Sequence, residues 1–244
     1  MKVIVADHDR RYDLPGLPGS ARRPVDVDAS NTSFTSLRSF RVYRFQAGSV
    51  VDGHAEQDEV FVVVTAGSVE IKIGAEGCAE DAWTAHTLVA PTGNSTLPFV
   101  AYLPPQSMYV MSAQTTADVA YARATPIQRR EAAVFSANAT AESAGVTTLL
   151  RQHTHAERLR LTVTKLRADN DGMAIDLSDP ADTTVDVLVH LQGSLSERVG
   201  TVRNQHGASL DVHSWQTLAF EPAERATLQT APGVECLMLT VHAV

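Results

Sequence analysis

The chain is 244 residues long, 44% hydrophobic and 20% charged, with a formal net charge of −8. This length allows one large domain or two of ordinary size, and the apolar share supports a packed core rather than global disorder. The acidic balance argues against a nucleic-acid partner, because a negative surface repels a phosphate backbone. Cys78 and Cys236 stand far apart without a C-x-x-C, which fits a reduced protein with no disulfide framework or zinc knuckle. The apolar run after Met1 is too short for a secretory leader, and no stretch reaches the length of a bilayer span. The expected setting is the cytoplasm, with no membrane partner.

In chain order, a short strand at Val3 to Val5 is followed by a loop rich in proline, glycine and charge from Asp9 to Ser20. Phe40 to Phe45 has strand character and ends at Ala47-Gly48. The clearest signal comes next: a β-branched run from Glu59 to Thr65, a reversal at Gly67-Ser68, and an alternating arm. In that arm Val69, Ile71 and Ile73 share one face, Glu70 and Lys72 the other. Trp83 to Ala90 continues the sheet, Pro91 to Thr96 is a turn cluster, and Phe99 to Leu103 is a strand stopped by Pro104-Pro105. Met108 to Ala113 and Val119 to Ala124 close the first half. Pro126 to Ser143 lacks strand pattern and reads as a linker with a short helix near Arg129 to Phe135. The second half restarts at Arg158 to Leu166, where Leu159, Leu161 and Val163 alternate with Arg158, Arg160 and Thr162. A turn at Asp169 to Gly172, an apolar run at Val185 to Gly193, and strands at Trp215 to Phe220 and Glu235 to His242 follow. Many short strands separated by turns predict an all-β sandwich or barrel.

The halves echo each other. Tyr102-Leu-Pro-Pro105 precedes Val119 by the spacing at which Phe220-Glu-Pro222 precedes Cys236, and Gly67-Ser68 matches Gly193-Ser194. A duplicated barrel explains this; two unrelated β-domains with coincident turns is the alternative.

The pattern from the acids Asp58 and Glu59 through Gly67, with Pro98 to Pro105 and Thr115 to Tyr121, resembles the first half of 5-deoxyglucuronate isomerases. These are related to the uronate ketol-isomerases. The resemblance implies an all-β double cupin, two jelly-roll barrels in tandem: residues 1–126 as the first barrel, 127–157 as a linker and 158–244 as the second. It also implies a divalent metal in the second barrel, held by three histidines and a glutamate, that polarises the oxygens of an open-chain uronate. Here the sequence departs from the family. Asn170 to Asp179 has no histidine where the family has its cluster, Thr227 stands at the late ligand position of the second barrel, and Tyr109 at that of the first. Seven residues separate Glu59 from Gly67, where the usual cupin motif has six. No metal cofactor is therefore expected.

Among candidate site residues, Asp186, Leu188 and His190 share one strand face. Six residues separate Asp186 from Gly193, the cupin carboxylate spacing. If that face lines the barrel, Asp186 and His190 form an acid–base pair; the alternative is a buried hydrogen bond without turnover. Arg198 and Arg203 flank the following hairpin as a carboxylate clamp or as solvated charges. In the first barrel, His54 and Glu59 offer a second candidate substrate site, with too few ligands for a metal. His153-Thr-His155-Ala-Glu157 has cluster spacing but precedes its strand, which places it in an interdomain surface segment. Two functions follow: a sugar-acid or keto-sugar isomerase, which would be an intramolecular oxidoreductase, or a metal-free double cupin that binds a small carbohydrate or acts as an assembly partner. A homodimer is expected, since strand edges tend to be covered.

Overall fold

The computed structural model describes residues 1–14, 17–91, 96–143, 145–168, 172–177 and 185–244. Most of the turns expected at Pro91 to Thr96 and Asp169 to Gly172, and the ends of the Asn170 to Asp179 stretch, lie outside the described residues. The first half carries β1 (Lys2–Val5), β2 (Arg11–Leu14), β3 (Leu17–Asp28), β4 (Leu37–Phe45), β5 (Val50–His54), β6 (Glu59–Ala66), β7 (Ser68–Ala75), β8 (Thr84–Val89), β9 (Pro98–Leu103), β10 (Ser107–Ala113) and β11 (Ala117–Ala124). The second carries β12 (Ala133–Ser136), β13 (Thr140–Ser143), β14 (Val146–Gln152), β15 (Leu159–Arg167), β16 (Ala174–Asp176), β17 (Asp186–Gln192), β18 (Arg198–Asn204), β19 (Ser209–His213), β20 (Gln216–Phe220), β21 (Ala226–Thr230) and β22 (Glu235–Ala243). A single 3-10 turn, Glu80–Ala82, is the only helical element among the described residues, and no helix there is long and apolar enough to cross a membrane.

Four sheets result. Those of the first barrel run β12-β9-β6-β11-β4-β3-β2 and β5-β10-β7-β8. Those of the second run β1-β20-β17-β22-β15-β14-β13 and β16-β21-β18-β19. Each strand of the first half has its counterpart eleven strands later, with one exchange: β1 lies beside β20 in the second barrel and β12 beside β9 in the first. One fold is repeated, and each half lends its opening strand to the other. The repeat legible in the turns is the repeat of these strands.

Two stretches differ from expectation. The segment 127–157 carries β12, β13 and β14, and no helix forms at Arg129 to Phe135. These strands are four to seven residues long, and β12 pairs with the distant β9, so local alternation is too short to reveal them. Asp9 to Ser20, expected as a loop, contains β2 and the start of β3. β2, free of proline and glycine, lies at the sheet edge, and the β2–β3 and β3–β4 registers are both interrupted.

The apolar runs are buried on both faces because two cores meet in each long sheet. On β6, Val60, Val62 and Val64 fill the first barrel, while Phe61 and Val63 face the seam between barrels. On β17, Val187, Val189 and Leu191 fill the second barrel, while Leu188 faces the seam. Phe40, Val42, Phe61 and Tyr102 meet Leu159, Leu161, Leu239 and Val241 there in one apolar cluster. The extra residue before Gly67 is a β-bulge. Asp118 pairs with Ala66 and Val119 with Val64, so Thr65 is looped out of the ladder, and its hydroxyl donates to the Asp118 carbonyl at 3.1 Å. Glu59 thereby keeps the same facing as Asp186 despite the longer spacing.

Candidate ligand site

Asp186 and His190 do share a face of β17, but that face is turned to the inter-barrel seam and not to a barrel interior. Asp186 is fully buried, and its Oδ2 accepts the backbone N–H groups of Thr35, Ser36 and Leu37 at 2.9, 2.6 and 2.8 Å. Glu59 does the converse. It too is fully buried, and its carboxylate accepts N–H from Glu157, Arg158 and Leu159 at 2.9, 2.6 and 2.7 Å and the Tyr102 hydroxyl at 3.1 Å. Each carboxylate heads one central strand and holds the entry of the other barrel's β4 or β15. The motif spacing thus located two residues that clasp the halves together, and the geometry directs neither at a cavity.

His190 is not bonded to Asp186. Its Nδ1 lies 2.9 Å from the Thr217 hydroxyl, and its ring sits 5.5 Å from Phe40 and 6.0 Å from Trp215. Burial lowers its pKa to about 3, so it stays neutral near pH 7 and has no charged form to trade there. Two residues on, Gln192 donates to Asp118 at 3.2 Å, and Arg44 grips the same carboxylate at 2.8 and 3.0 Å while lying over the Trp215 ring. This polar chain joins the two barrels.

Arg198 and Arg203 lie exposed on β18. Arg198 binds Asp211 and Thr201 at 2.8 and 2.9 Å, and Arg203 reaches Ser209 at 3.3 Å; neither clamps a cavity. In the 153–157 cluster, His153 bonds Thr162, His155 bonds the Glu131 carbonyl, and Glu157 accepts from the amides of Ile127 and Gln128, so the three ends diverge. His54 is exposed, 3.7 Å from Glu76, on the solvent side of β5. Its backbone carbonyl, with that of Ala55, accepts from Arg123 at 3.3 and 2.6 Å. Of the candidates, His54 borders a cavity.

That cavity, about 200 Å³, opens into the first barrel. It is lined by Tyr12, Ser39, Arg41, Tyr43, Phe45, Val51, Asp52, Gly53, His54, Tyr109, Tyr121 and Arg123. Alternation on β4 explains the lining: Phe40 and Val42 go to the seam, which turns Ser39, Arg41, Tyr43 and Phe45 inward. On neighbouring β11, Tyr121 pairs with Arg41 and Arg123 with Ser39. The aromatic arc is continuous, with Tyr12–Tyr43 edge-on at 4.9 Å, Tyr43–Tyr121 edge-on at 5.4 Å and Tyr109–Tyr121 stacked at 6.4 Å. Both guanidiniums are braced from behind: Arg41 by Asp26 at 2.8 Å, and Arg123 by Asp58 at 3.2 Å. Asp58 is itself held by Thr125 at 2.8 Å. Burial raises the phenols of Tyr43, Tyr109 and Tyr121, Tyr109 to about 12, so they remain protonated donors at neutral pH. The inward arginines and tyrosines of β4 and β11 are the residues that sequence reasoning missed. Their trace was there, polar and aromatic side chains opposite an apolar strand face. A larger groove of about 700 Å³ runs outside the barrel past Gly74, Pro104 and Arg129 to Ala132; it is shallow and open to water.

Among the described residues, the second barrel, where the resemblance would place a metal, offers no ligand cluster. Its interior is filled by Val189, Leu191, Val199, Val202, Val212, Leu228 and Met238. Thr227 is exposed on β21; the inward neighbours at that level are Ala226 and Leu228. Among the described residues no three His, Cys, Asp or Glu side chains converge. The donor set of these described residues does not fit a divalent ion.

The chain resembles several solved structures. An IolB-like protein from Salmonella typhimurium aligns over 99% of this chain and 92% of its own, with a TM-score of 0.70 and 13% identity. A cupin 2 conserved barrel domain protein from Leptotrichia buccalis covers 98% of both chains (TM-score 0.53, 11% identity). A Lactobacillus farciminis oxalate decarboxylase covers 96% of this chain and 86% of its own (TM-score 0.64, 6% identity). At these identities the likeness is one of fold, and the fold is an all-β double cupin. No curated protein matches the sequence. The profile of the KduI/IolB family matches residues 18–160, more than half of the length, and the chain therefore belongs to the KduI/IolB family.

Proposed function

We propose that this cupin works without a metal and binds a small carbohydrate or sugar acid in the mouth of its first barrel. The observation that carries the reading is the cavity lining: four tyrosines and two braced arginines line one open-mouthed space of about 200 Å³. Protonated phenols and guanidiniums are donors, and a ligand rich in acceptor oxygens satisfies them; tyrosine rings also offer flat faces to a sugar. The aliphatic filling of the second barrel supports the same reading, because the described residues there supply no donor set for the family's chemistry. The test is calorimetric titration of chelator-treated protein with D-galacturonate. Binding is expected without added metal, weakened about tenfold or more in Arg123→Gln. A requirement for metal, or no binding at all, would sink the reading. Family membership favours a second reading, a ketol-isomerase; turnover of a uronate after addition of manganese, iron or zinc would establish it.

A further inference from the structure

One wall of the first-barrel cavity depends on a pair of residues. Tyr109 on β10 lies opposite Gly53 on β5 in the strand pairing. The end of its ring rests where a side chain at residue 53 would be: a Cβ built on Gly53 would fall 2.1 Å from Tyr109 Cζ and 2.3 Å from its hydroxyl oxygen. Nothing larger than hydrogen fits beneath the ring, so Gly53 is the seat that lets the phenol reach across from β10 to β5. The ring stacks on Tyr121 with an interplanar angle of 29°. On β5 Val51 and Gly53 are half-buried while Asp52 and His54 are exposed at the rim, and the Tyr109 ring, lying across Gly53, forms part of the wall on this flank.

We infer that Tyr109, seated on Gly53, is the residue that determines specificity at this site: its ring limits the size of the ligand, and its hydroxyl donates to it. The inference rests on the cavity being a ligand site. With the ring in place the space measures about 200 Å³, and the ligand inferred for it is a single sugar ring. A phenyl ring at this position keeps the wall and removes the donor. An alanine removes both. A methyl group at residue 53 drives the ring into the cavity.

The experiment is titration calorimetry of the whole chain and its variants with two probes, D-galacturonate and digalacturonate. Wild type is expected to bind the monosaccharide and reject the disaccharide. Tyr109→Phe keeps that order and loses roughly 2- to 12-fold in affinity for galacturonate, the effect of one neutral hydrogen bond. Tyr109→Ala admits digalacturonate, a reversal that loosened packing alone would not produce, and Gly53→Ala binds neither probe. Wild type that binds galacturonate, with Tyr109→Phe at unchanged affinity or Tyr109→Ala at unchanged size preference, overturns the role of Tyr109 and leaves the site standing. Wild type that binds neither probe overturns the site and this inference together. Should Tyr109→Ala fail to fold, the affinity of Tyr109→Phe decides.

Discussion

Asp186 illustrates how a residue type and a spacing can be read correctly while the role is not. A buried carboxylate has to be satisfied by donors, and three successive amides, Thr35 to Leu37, do so within 2.9 Å. Asp186→Ala would leave those amides without their acceptor, at about 1–3 kcal/mol for each one that stays buried. A loss of about 3 kcal/mol or more is expected in urea unfolding. Asp186→Asn, which keeps one acceptor oxygen, is expected to lose less. Equal losses would place the stability elsewhere than in the amide bonds. His190 makes a pH prediction. Its folded pKa, near 3, lies below the ordinary 6.5, so between those values the unfolded chain binds the extra proton. Linkage then requires stability to fall as pH drops from about 6.5 toward 3. His190→Gln removes this contribution, and its stability–pH curve from pH 6.5 to 5 is expected to be flatter than wild type, above the range where carboxylates titrate. Parallel curves would contradict the buried, neutral imidazole.

At the scale of strands, the exchange of β1 and β12 has a consequence that local sequence does not show. β1 covers β20 through the pairs Lys2 with Ala219 to Val5 with Gln216. Without it, β20 becomes the open edge of the second barrel's long sheet. Deletion of residues 1–6 is expected to destabilise the second barrel and to speed amide exchange in β20. The first-barrel cavity is lined by β2, β4, β5, β10 and β11, so galacturonate binding should persist. Faster exchange in β6 instead of β20 would refute the pairing. The β-bulge at Thr65 is the companion case: one inserted residue altered a motif spacing, and the ladder absorbed it without turning Glu59 to the other face.

For the molecule as a whole, the seam cluster, the exchanged strands and the reciprocal carboxylates all tie one barrel to the other. Units joined this way unfold together, because neither half retains its edges or its buried face alone. One cooperative thermal transition is expected by near-ultraviolet and far-ultraviolet dichroism alike. Two transitions separable by probe would show that the barrels are thermodynamically independent.

Much of the architecture was written locally. Alternation along Val69, Ile71 and Ile73, the apolar runs of β6 and β17, and the matched Pro105–Val119 and Pro222–Cys236 spacings followed from side-chain period and turn chemistry. The short strands of 127–157 did not, since four residues carry too little pattern. Nor did the facing of Asp186, Glu59 and His190. A period of two states that residues share a face, but which side that face meets depends on what packs across it. Here a second barrel covers it, brought there by contacts between residues about a hundred or more positions apart. The same packing turned Arg41, Tyr43, Tyr121 and Arg123 into one cavity, which only the assembled sheets reveal.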